Sequence, residues 1–142
     1  MIASPQYRYQ ATAIETGSPV DLVVRLYQGV IRFTERGANA VQARNIEGAH
    51  ESFTRAEAIV RELAGTLNFE RGGEIAPNLM AVYDYALGRL VEANCQKRVE
   101  PAHEVVELFR SLLTAWQEVA ERCHREPALA ARPLRRMMQV EL

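Results

Sequence analysis

Apolar residues recur in this sequence at alternating spacings of four and three, and this pattern constrains the fold more than any other feature. Such spacing places the residues on one face of an α-helix, whereas a β-strand would need alternation at every second residue. One line runs through residues 49–67, and similar lines follow in residues 75–90 and 105–123. Their members are Ala49, Phe53, Ala56, Val60, Leu63 and Leu67; Ile75, Leu79, Val82, Ala86 and Leu90; and Val105, Phe109, Leu112, Trp116, Val119 and Cys123.

The predicted helix ends carry residues with known end preferences. Pro19 suits a first helical position, so a further helix is predicted from there to about residue 43. Asn45 suits the N-cap of the second helix, and Pro101 suits the first turn of the fourth. The adjacent Gly72 and Gly73 are expected to supply the backbone angles that end the second helix and reverse the chain.

Four helices of similar length with short connections predict an all-α protein, an antiparallel up-down-up-down four-helix bundle. A chain of 142 residues is expected to form one domain. We expect an irregular N-terminal tail or cap segment at residues 1–17, the bundle at residues 18–123, and a flexible C-terminal tail at residues 124–142.

Charge and composition argue against several classes of partner. The chain has 17 Lys and Arg against 18 Asp and Glu, so a nucleic-acid partner is not expected. It lacks both an 18-residue apolar run and an apolar leader, so we expect a cytoplasmic protein that does not insert into membranes. No glycine-rich phosphate loop or paired nucleophile is visible, so neither an enzyme nor a cofactor is expected. The pattern leaves monomer and homodimer open.

The three histidines offer an alternative function. Each lies in a Glu-x-x-His pair, the ligand spacing of di-iron proteins built on four-helix bundles. The pairs are Glu47/His50, Glu100/His103 and Glu121/His124. Such a site needs the pairs in the middle of helices, but each of these lies at a predicted helix end. A helical-bundle metalloprotein is therefore the alternative hypothesis, and no metal ligand is assigned.

The first and third predicted helices carry more apolar residues than one core-facing line requires. In the third helix, Met80, Tyr83 and Leu87 form a second line beside the first. The excess predicts a groove that receives another chain. Tyr83 and Tyr85 are two residues apart on a helix, so at most one of them should lie deep in the bundle.

Several motifs together resemble the FliS family of flagellar secretion chaperones. They are "TGSPVDLVVRLYQGVIRF", "TLNFERGGEIAPNLMAVYDYALGRLVEAN" and the late tryptophan of "LLTAWQEV", and the resemblance covers about residues 7–122. It implies a cytoplasmic chaperone that binds the disordered C-terminal segment of flagellin, prevents premature polymerisation and helps deliver flagellin to the flagellar type III export gate. An anti-sigma factor or another flagellar regulator is a further partner that the resemblance leaves open.

The resemblance and the excess apolar surface together suggest site residues. Tyr7 or Tyr9 could stand for the tail tyrosine of the family, and Ile14 is expected to cover apolar bundle surface when no client is bound. These three are the candidates for the N-terminal cap and for contact with the export gate. The candidates for flagellin binding are Leu22, Leu26, Tyr27, Val30, Leu67, Asn68, Met80, Tyr83 and Leu87.

Overall fold

The structure, a computed structural model, describes residues 19–125, which form four α-helices. These are α1 (Pro19–Gln42), α2 (Ile46–Gly65), α3 (Ile75–Gln96) and α4 (Glu100–Arg125). The all-α class is confirmed for this range, and the predicted start of the first helix is confirmed as well. The N-terminal cap segment, with its candidates Tyr7, Tyr9 and Ile14, lies outside the described residues. The predicted C-terminal tail also lies outside them, apart from His124 and Arg125, which end α4.

The helices are antiparallel to their neighbours. α1 and α3 each pack against both α2 and α4, so the four helices form a square with α1 and α3 on one diagonal. His50 near the start of α2 is hydrogen-bonded to Asn94 near the end of α3, at 2.9 Å. His124 at the end of α4 lies 3.1 Å from the carboxylate of Asp21 at the start of α1. These contacts confirm the predicted up-down-up-down bundle.

The second helix follows its sequence signals closely. Its N-cap is Asn45, whose Oδ1 accepts a hydrogen bond of 2.9 Å from the backbone N–H of Gly48. This bond satisfies one of the donors that the first turn leaves free. All six residues of the predicted apolar line, from Ala49 to Leu67, are buried. Both the cap and the core-facing line of α2 are therefore confirmed.

A glycine allows α1 to approach α2 closely. A Cβ added to Gly37 would lie within 2.8 Å of three ring atoms of Phe53. Real Cβ atoms do not approach other heavy atoms so closely, because the repulsion would displace the ring. Gly37 therefore lets the Phe53 side chain, which is fully buried, pack directly on the backbone of α1.

Four aromatic side chains from three helices fill the centre of the bundle. The Tyr27 ring lies 5.0 Å from that of Phe109 and 6.2 Å from that of Trp116, measured between centroids. Tyr27 and Tyr83 share a hydrogen bond of 2.7 Å between their hydroxyl oxygens. Burial raises the pKa of both phenols, so both hydroxyls stay protonated at neutral pH. The bond gives each buried hydroxyl a partner, as a buried polar group requires.

The predicted core-facing line of the third helix was wrong in part. Ile75 is 54% exposed, and Leu79 and Val82 are only half-buried. Ile75 is exposed because it is the first residue of α3, at one end of the bundle. The buried line of α3 instead includes Tyr83, whose hydroxyl meets that of Tyr27. Its members are Ala76, Tyr83, Ala86, Leu90 and Ala93.

The corner between α2 and α3, residues 66–74, also differs from the prediction. α2 ends at Gly65, before the paired glycines are reached. Thr66 closes the helix, since its Oγ1 donates a hydrogen bond of 2.7 Å to the carbonyl of Leu63. Gly73 has a φ of 56°, in the left-handed region that glycine favours, but Gly72 is not among the residues with positive φ. The glycine pair therefore shapes the entry to α3 rather than the end of α2.

Candidate functional site

An open groove of about 530 Å³ lies on the surface between α3 and α4. We call it the α3/α4 groove. Its walls are largely apolar, with two carboxylates on the α4 side. The lining residues are Ala81, Val82 and Tyr85 from α3, and Glu104, Glu107 and Leu108 from α4.

A polar bridge crosses one end of this groove. The hydroxyl of Tyr85 donates a hydrogen bond to Glu104, and Nε of Arg89 donates another, of 2.9 Å, to the same carboxylate. The bond from Tyr85 and then the charge of Arg89 lower the pKa of Glu104. Because Glu104 accepts the bond, the pKa of Tyr85 is raised. The bridge therefore ties α3 to α4 and fixes the orientation of the Tyr85 ring at the rim.

Apolar residues of α4 extend the groove beyond its lined portion. Leu108, Leu112, Ala115 and Val119 follow one another at spacings of four, three and four, so they lie on one side of the helix. Leu108 lines the groove, and Leu112 and Val119 are half-buried. Since α3 and α4 are antiparallel, this line runs towards the first turn of α3. The line therefore points towards the end of the bundle that holds the corner of residues 66–74.

The same end of the bundle exposes two large apolar side chains. Phe69 in the corner is 51% exposed, and Ile75 at the start of α3 is 54% exposed. Tyr85, at the rim of the groove, is 51% exposed. Exposed apolar side chains and an apolar groove with a polar rim are typical of surfaces that receive an amphipathic helix.

Most of the candidates from the sequence lie elsewhere. Six of them are buried in the core, where the surface groove does not reach. They are Leu22, Leu26, Tyr27, Val30, Leu67 and Tyr83. Those of α1 are buried because α1 packs against both α2 and α4. Contact between these six residues and another chain stays a prediction.

Two further candidates lie on the other flank of α3. Met80 and Leu87 precede Asn94 by two heptads and one heptad, so all three lie on the same side of α3. Asn94 is hydrogen-bonded to His50 of α2, which places this side towards α2. Met80 and Leu87 are half-buried there, and Val91 beside them is 42% exposed. The structure thus separates this pair from the α3/α4 groove.

Asn68, the last candidate, shapes the corner. Its Oδ1 accepts hydrogen bonds from the backbone N–H groups of Glu70, at 3.0 Å, and Arg71, at 3.1 Å. Its carbonyl accepts a bond of 2.8 Å from the N–H of Gly72. These bonds fix the loop that presents Phe69, so Asn68 has a structural role in the corner. The side chain of Asn68 is itself partly exposed.

The groove contains residues that the sequence-based candidates did not include. Tyr85 faces away from Tyr83, as the two-residue spacing predicts, and this outward direction was the signal available for it. Leu112 and Val119 were assigned to the core line of α4, and only their incomplete burial reveals that they border a surface. Glu104 had no sequence signal, because its partners Tyr85 and Arg89 belong to another helix.

The described residues were compared with the patterns of metal-binding groups and membrane-spanning helices. No three His, Cys, Asp or Glu side chains between residues 19 and 125 come together as a metal-binding group. His50 and His124 are each engaged with a side chain of a neighbouring helix. None of the four helices is long and apolar enough to cross a bilayer.

Comparison with known proteins identifies the family. A family model described as "Flagellar protein FliS" matches residues 1–123. The chain is 35% identical over 118 residues to the flagellar secretion chaperone FliS of Campylobacter jejuni, across 83% of this chain and 91% of the relative. It is 31% identical over 120 residues to the protein of the same name from Bacillus subtilis, across 84% and 89%. The Escherichia coli protein of that name is 32% identical over 108 residues, across 75% and 79%. With its four-helix bundle, this chain therefore belongs to the FliS family of flagellar secretion chaperones.

Proposed function

We propose that this protein is a cytoplasmic export chaperone that binds the disordered C-terminal segment of flagellin. The observation that carries the proposal is an open, largely apolar groove on a bundle whose relatives are named flagellar secretion chaperones. We place part of the client site in the α3/α4 groove and on the adjoining corner with Phe69 and Ile75. The protein acts by binding and not by catalysis.

The geometry suits a client that folds as it binds. An amphipathic helix laid along α4 would cover the line from Leu108 to Val119 with its apolar face. Burial of about five apolar side chains contributes roughly 8–15 kcal/mol, at about 1.5–3 kcal/mol each. Ordering a disordered segment costs about 2–5 kcal/mol or more, and association costs several more. The balance allows binding in the micromolar range from this groove alone, and contacts along other faces would strengthen it.

Binding and masking are then one event. A segment whose apolar face lies in the groove cannot use that face to pair with another flagellin, so polymerisation in the cytoplasm is prevented. We further propose that the N-terminal segment with Tyr7, Tyr9 and Ile14 covers client-binding surface in the free protein and takes part in delivery to the flagellar export gate. An anti-sigma factor or another flagellar regulator remains a proposed secondary partner.

Co-purification with flagellin tests the proposal. Intact flagellin should bind, and flagellin that lacks its C-terminal segment of about 40 residues should not, since that segment is the one that folds on contact. Equal recovery of both forms would refute the proposed client segment.

A matched pair of substitutions tests the location of the site. Ala81 lines the groove, and Ala58 is exposed on α2. Ala→Glu at either position therefore adds the same negatively charged side chain to an accessible part of a helix. Ala81→Glu places a third carboxylate in the groove beside Glu104 and Glu107. It should weaken flagellin binding at least about tenfold, which corresponds to about 1.4 kcal/mol. Ala58→Glu should change affinity little. Equal affinity of both variants, with unfolding temperatures unchanged, would place the client elsewhere.

A further inference from the structure

Three arginines surround one half-buried aromatic ring on the side of the bundle formed by α1 and α2, away from the α3/α4 groove. The guanidinium carbons of Arg32, Arg36 and Arg55 lie 5.2, 5.3 and 5.5 Å from the centroid of Phe33. Arg55 pairs with Glu51 of its own helix at 3.0 Å. Within residues 19–125, neither Arg32 nor Arg36 has a carboxylate at ion-pair distance. The positive charge around the ring therefore exceeds the negative charge of the carboxylates that pair with these arginines.

These two arginines also border a second open groove, of about 510 Å³, between α1 and α4. We call it the α1/α4 groove. Ile31 and Leu113 supply its apolar part. The remaining lining residues are polar or charged, and they are Gln28, Arg32, Glu35, Arg36, Asn39 and Arg110.

The charge of this groove is positive. Its one lining carboxylate, Glu35, accepts a hydrogen bond of 2.9 Å from Arg110. Three arginines against that single carboxylate leave a net charge of two, and the excess lies at Arg32 and Arg36. A ligand that supplies two or more carboxylates, with apolar side chains between them, would match both the charge and the apolar part of the groove.

The two grooves are separate sites. α1 is diagonal to α3 in the bundle, and the two grooves lie on different sides of α4. Their lining residues do not overlap. A molecule in the α1/α4 groove therefore leaves Tyr85, Glu104 and the rest of the α3/α4 groove accessible.

We propose that the α1/α4 groove docks an acidic amphipathic helix of a partner protein, in addition to the client. Stacking on Phe33 holds the guanidinium groups near one place before a partner arrives, which reduces the entropy lost on binding. Guanidinium groups bind carboxylates through paired hydrogen bonds, and arginine is enriched in the centres of protein interfaces. The near-neutral chain as a whole, at −1, lacks the extended positive field that nucleic acids or anionic membranes select. The inference does not rest on the identity of the client.

Fluorescence anisotropy with a labelled synthetic helix tests this inference. The probe is a peptide of about 20 residues, long enough to form a helix, with leucines on one face and glutamates on the other. The full chain should bind it, and binding should weaken between about 50 and about 200 mM salt, because the contacts are partly ionic. Arg32→Glu/Arg36→Glu should weaken binding at least about tenfold, and Arg32→Gln/Arg36→Gln by a smaller factor.

The control variant is Arg71→Glu/Arg122→Glu, which changes the net charge equally at two exposed positions outside the groove. It should retain affinity within about twofold, as expected for charges remote from the contact. Equal losses in both double Glu variants would overturn the inference, because the effect would then reflect net charge alone. Equal binding of a peptide with lysines in place of glutamates would overturn it, as would displacement of the probe by an equal charge concentration of DNA or anionic vesicles.

Ala81→Glu separates this result from the proposed function. It should leave binding of the acidic probe unchanged while it weakens flagellin binding. If flagellin does not bind at all, the arginine variants still decide the inference from the acidic probe alone. Loss of probe binding in Ala81→Glu would instead place the acidic helix in the α3/α4 groove and overturn it.

Discussion

The hydrogen bond between Tyr27 and Tyr83 should behave as a coupled pair when either hydroxyl is removed. The two oxygens are 2.7 Å apart, and the side chains are 0% and 2% exposed, so water cannot replace a lost partner. Tyr27→Phe or Tyr83→Phe leaves the other hydroxyl without this bond in the core. Each single variant should therefore lose about 1–3 kcal/mol of the free energy of unfolding.

The double variant should lose less than the two single losses added together. With both hydroxyls replaced by hydrogen, no buried donor of this pair lacks its partner, and the aromatic packing with Phe109 and Trp116 is retained. We expect a coupling energy of about 1–3 kcal/mol in the double-mutant cycle. Urea unfolding measures it, since 1 kcal/mol moves the midpoint by roughly 0.3–1 M for a slope of about 1–3 kcal/mol per M.

Additive losses would refute this argument, because they would mean that each hydroxyl acts independently of the other. Tyr85→Phe serves as the comparison, since its hydroxyl is bonded at the exposed rim and its loss should have a smaller effect. The same variants test the sequence-based prediction that Tyr27 and Tyr83 contact flagellin. If the pair acts only in the core, the double variant should bind flagellin as the wild type does, and a loss of affinity without a loss of stability would favour direct contact.

Two further effects follow from glycine packing and from the groove. Gly88→Ala should raise the free energy of unfolding by about 1 kcal/mol, because an added Cβ meets nothing within 4 Å. Gly37→Ala gains the same helix propensity but pushes against Phe53, so it should be about 1–3 kcal/mol less stable than Gly88→Ala; equal thermal shifts in the two variants would contradict this. The hydrogen bond from Tyr85 lowers the pKa of Glu104 in the folded protein. The ionised carboxylate therefore stabilises the fold above its ordinary pKa of about 4.3, and this stabilisation is lost as pH falls through its pKa in the folded protein. Glu104→Gln should therefore lower the unfolding temperature more at about pH 6 than at about pH 3, and an equal decrease at both pH values would exclude the ionised carboxylate as the cause.

Local signals were sufficient to predict where most of the helices lie. Asn45 accepts the expected capping bond, and Pro19 begins α1, because these effects depend on a few neighbouring residues. The apolar line of α2 was also predicted correctly. Its exposed face is strongly polar, so only one orientation of the helix buries the apolar residues. Helix ends and a one-sided apolar pattern can be inferred without knowledge of the neighbouring helices.

The rotation of α3 could not be predicted in this way. Apolar side chains occur around much of its circumference, from half-buried Val82 to half-buried Leu87, with Tyr83 between them. Several rotations would therefore bury similar apolar areas, and periodicity does not choose among them. A polar contact with another helix distinguishes them, since the Tyr83 hydroxyl meets that of Tyr27, 56 positions earlier in the chain.

The candidate groove was missed for a related reason. A surface between two helices depends on which sides face each other, and the residues that define it are distant in sequence. Tyr85 and Glu104 are 19 positions apart, and neither has a local pattern that predicts their bond. The sequence correctly indicated an excess of apolar residues, but most of those on α1 are buried against its two neighbours, α2 and α4. Accessible apolar residues remain on α3, on α4 and in the corner, and Ile46 is exposed at the start of α2.

The buried tyrosine pair and the candidate groove are not independent features. Residues two positions apart on a helix point about 200° apart, so an inward Tyr83 obliges Tyr85 to point away from the core. There Tyr85 reaches Glu104 and forms the rim of the α3/α4 groove. A rotation that exposed Tyr83 would bury its neighbours differently and leave the hydroxyl of Tyr27 without that partner. The core bond therefore selects which side of α3 forms the α3/α4 groove, and the stability of the bundle and the shape of this proposed client site depend on the same contact.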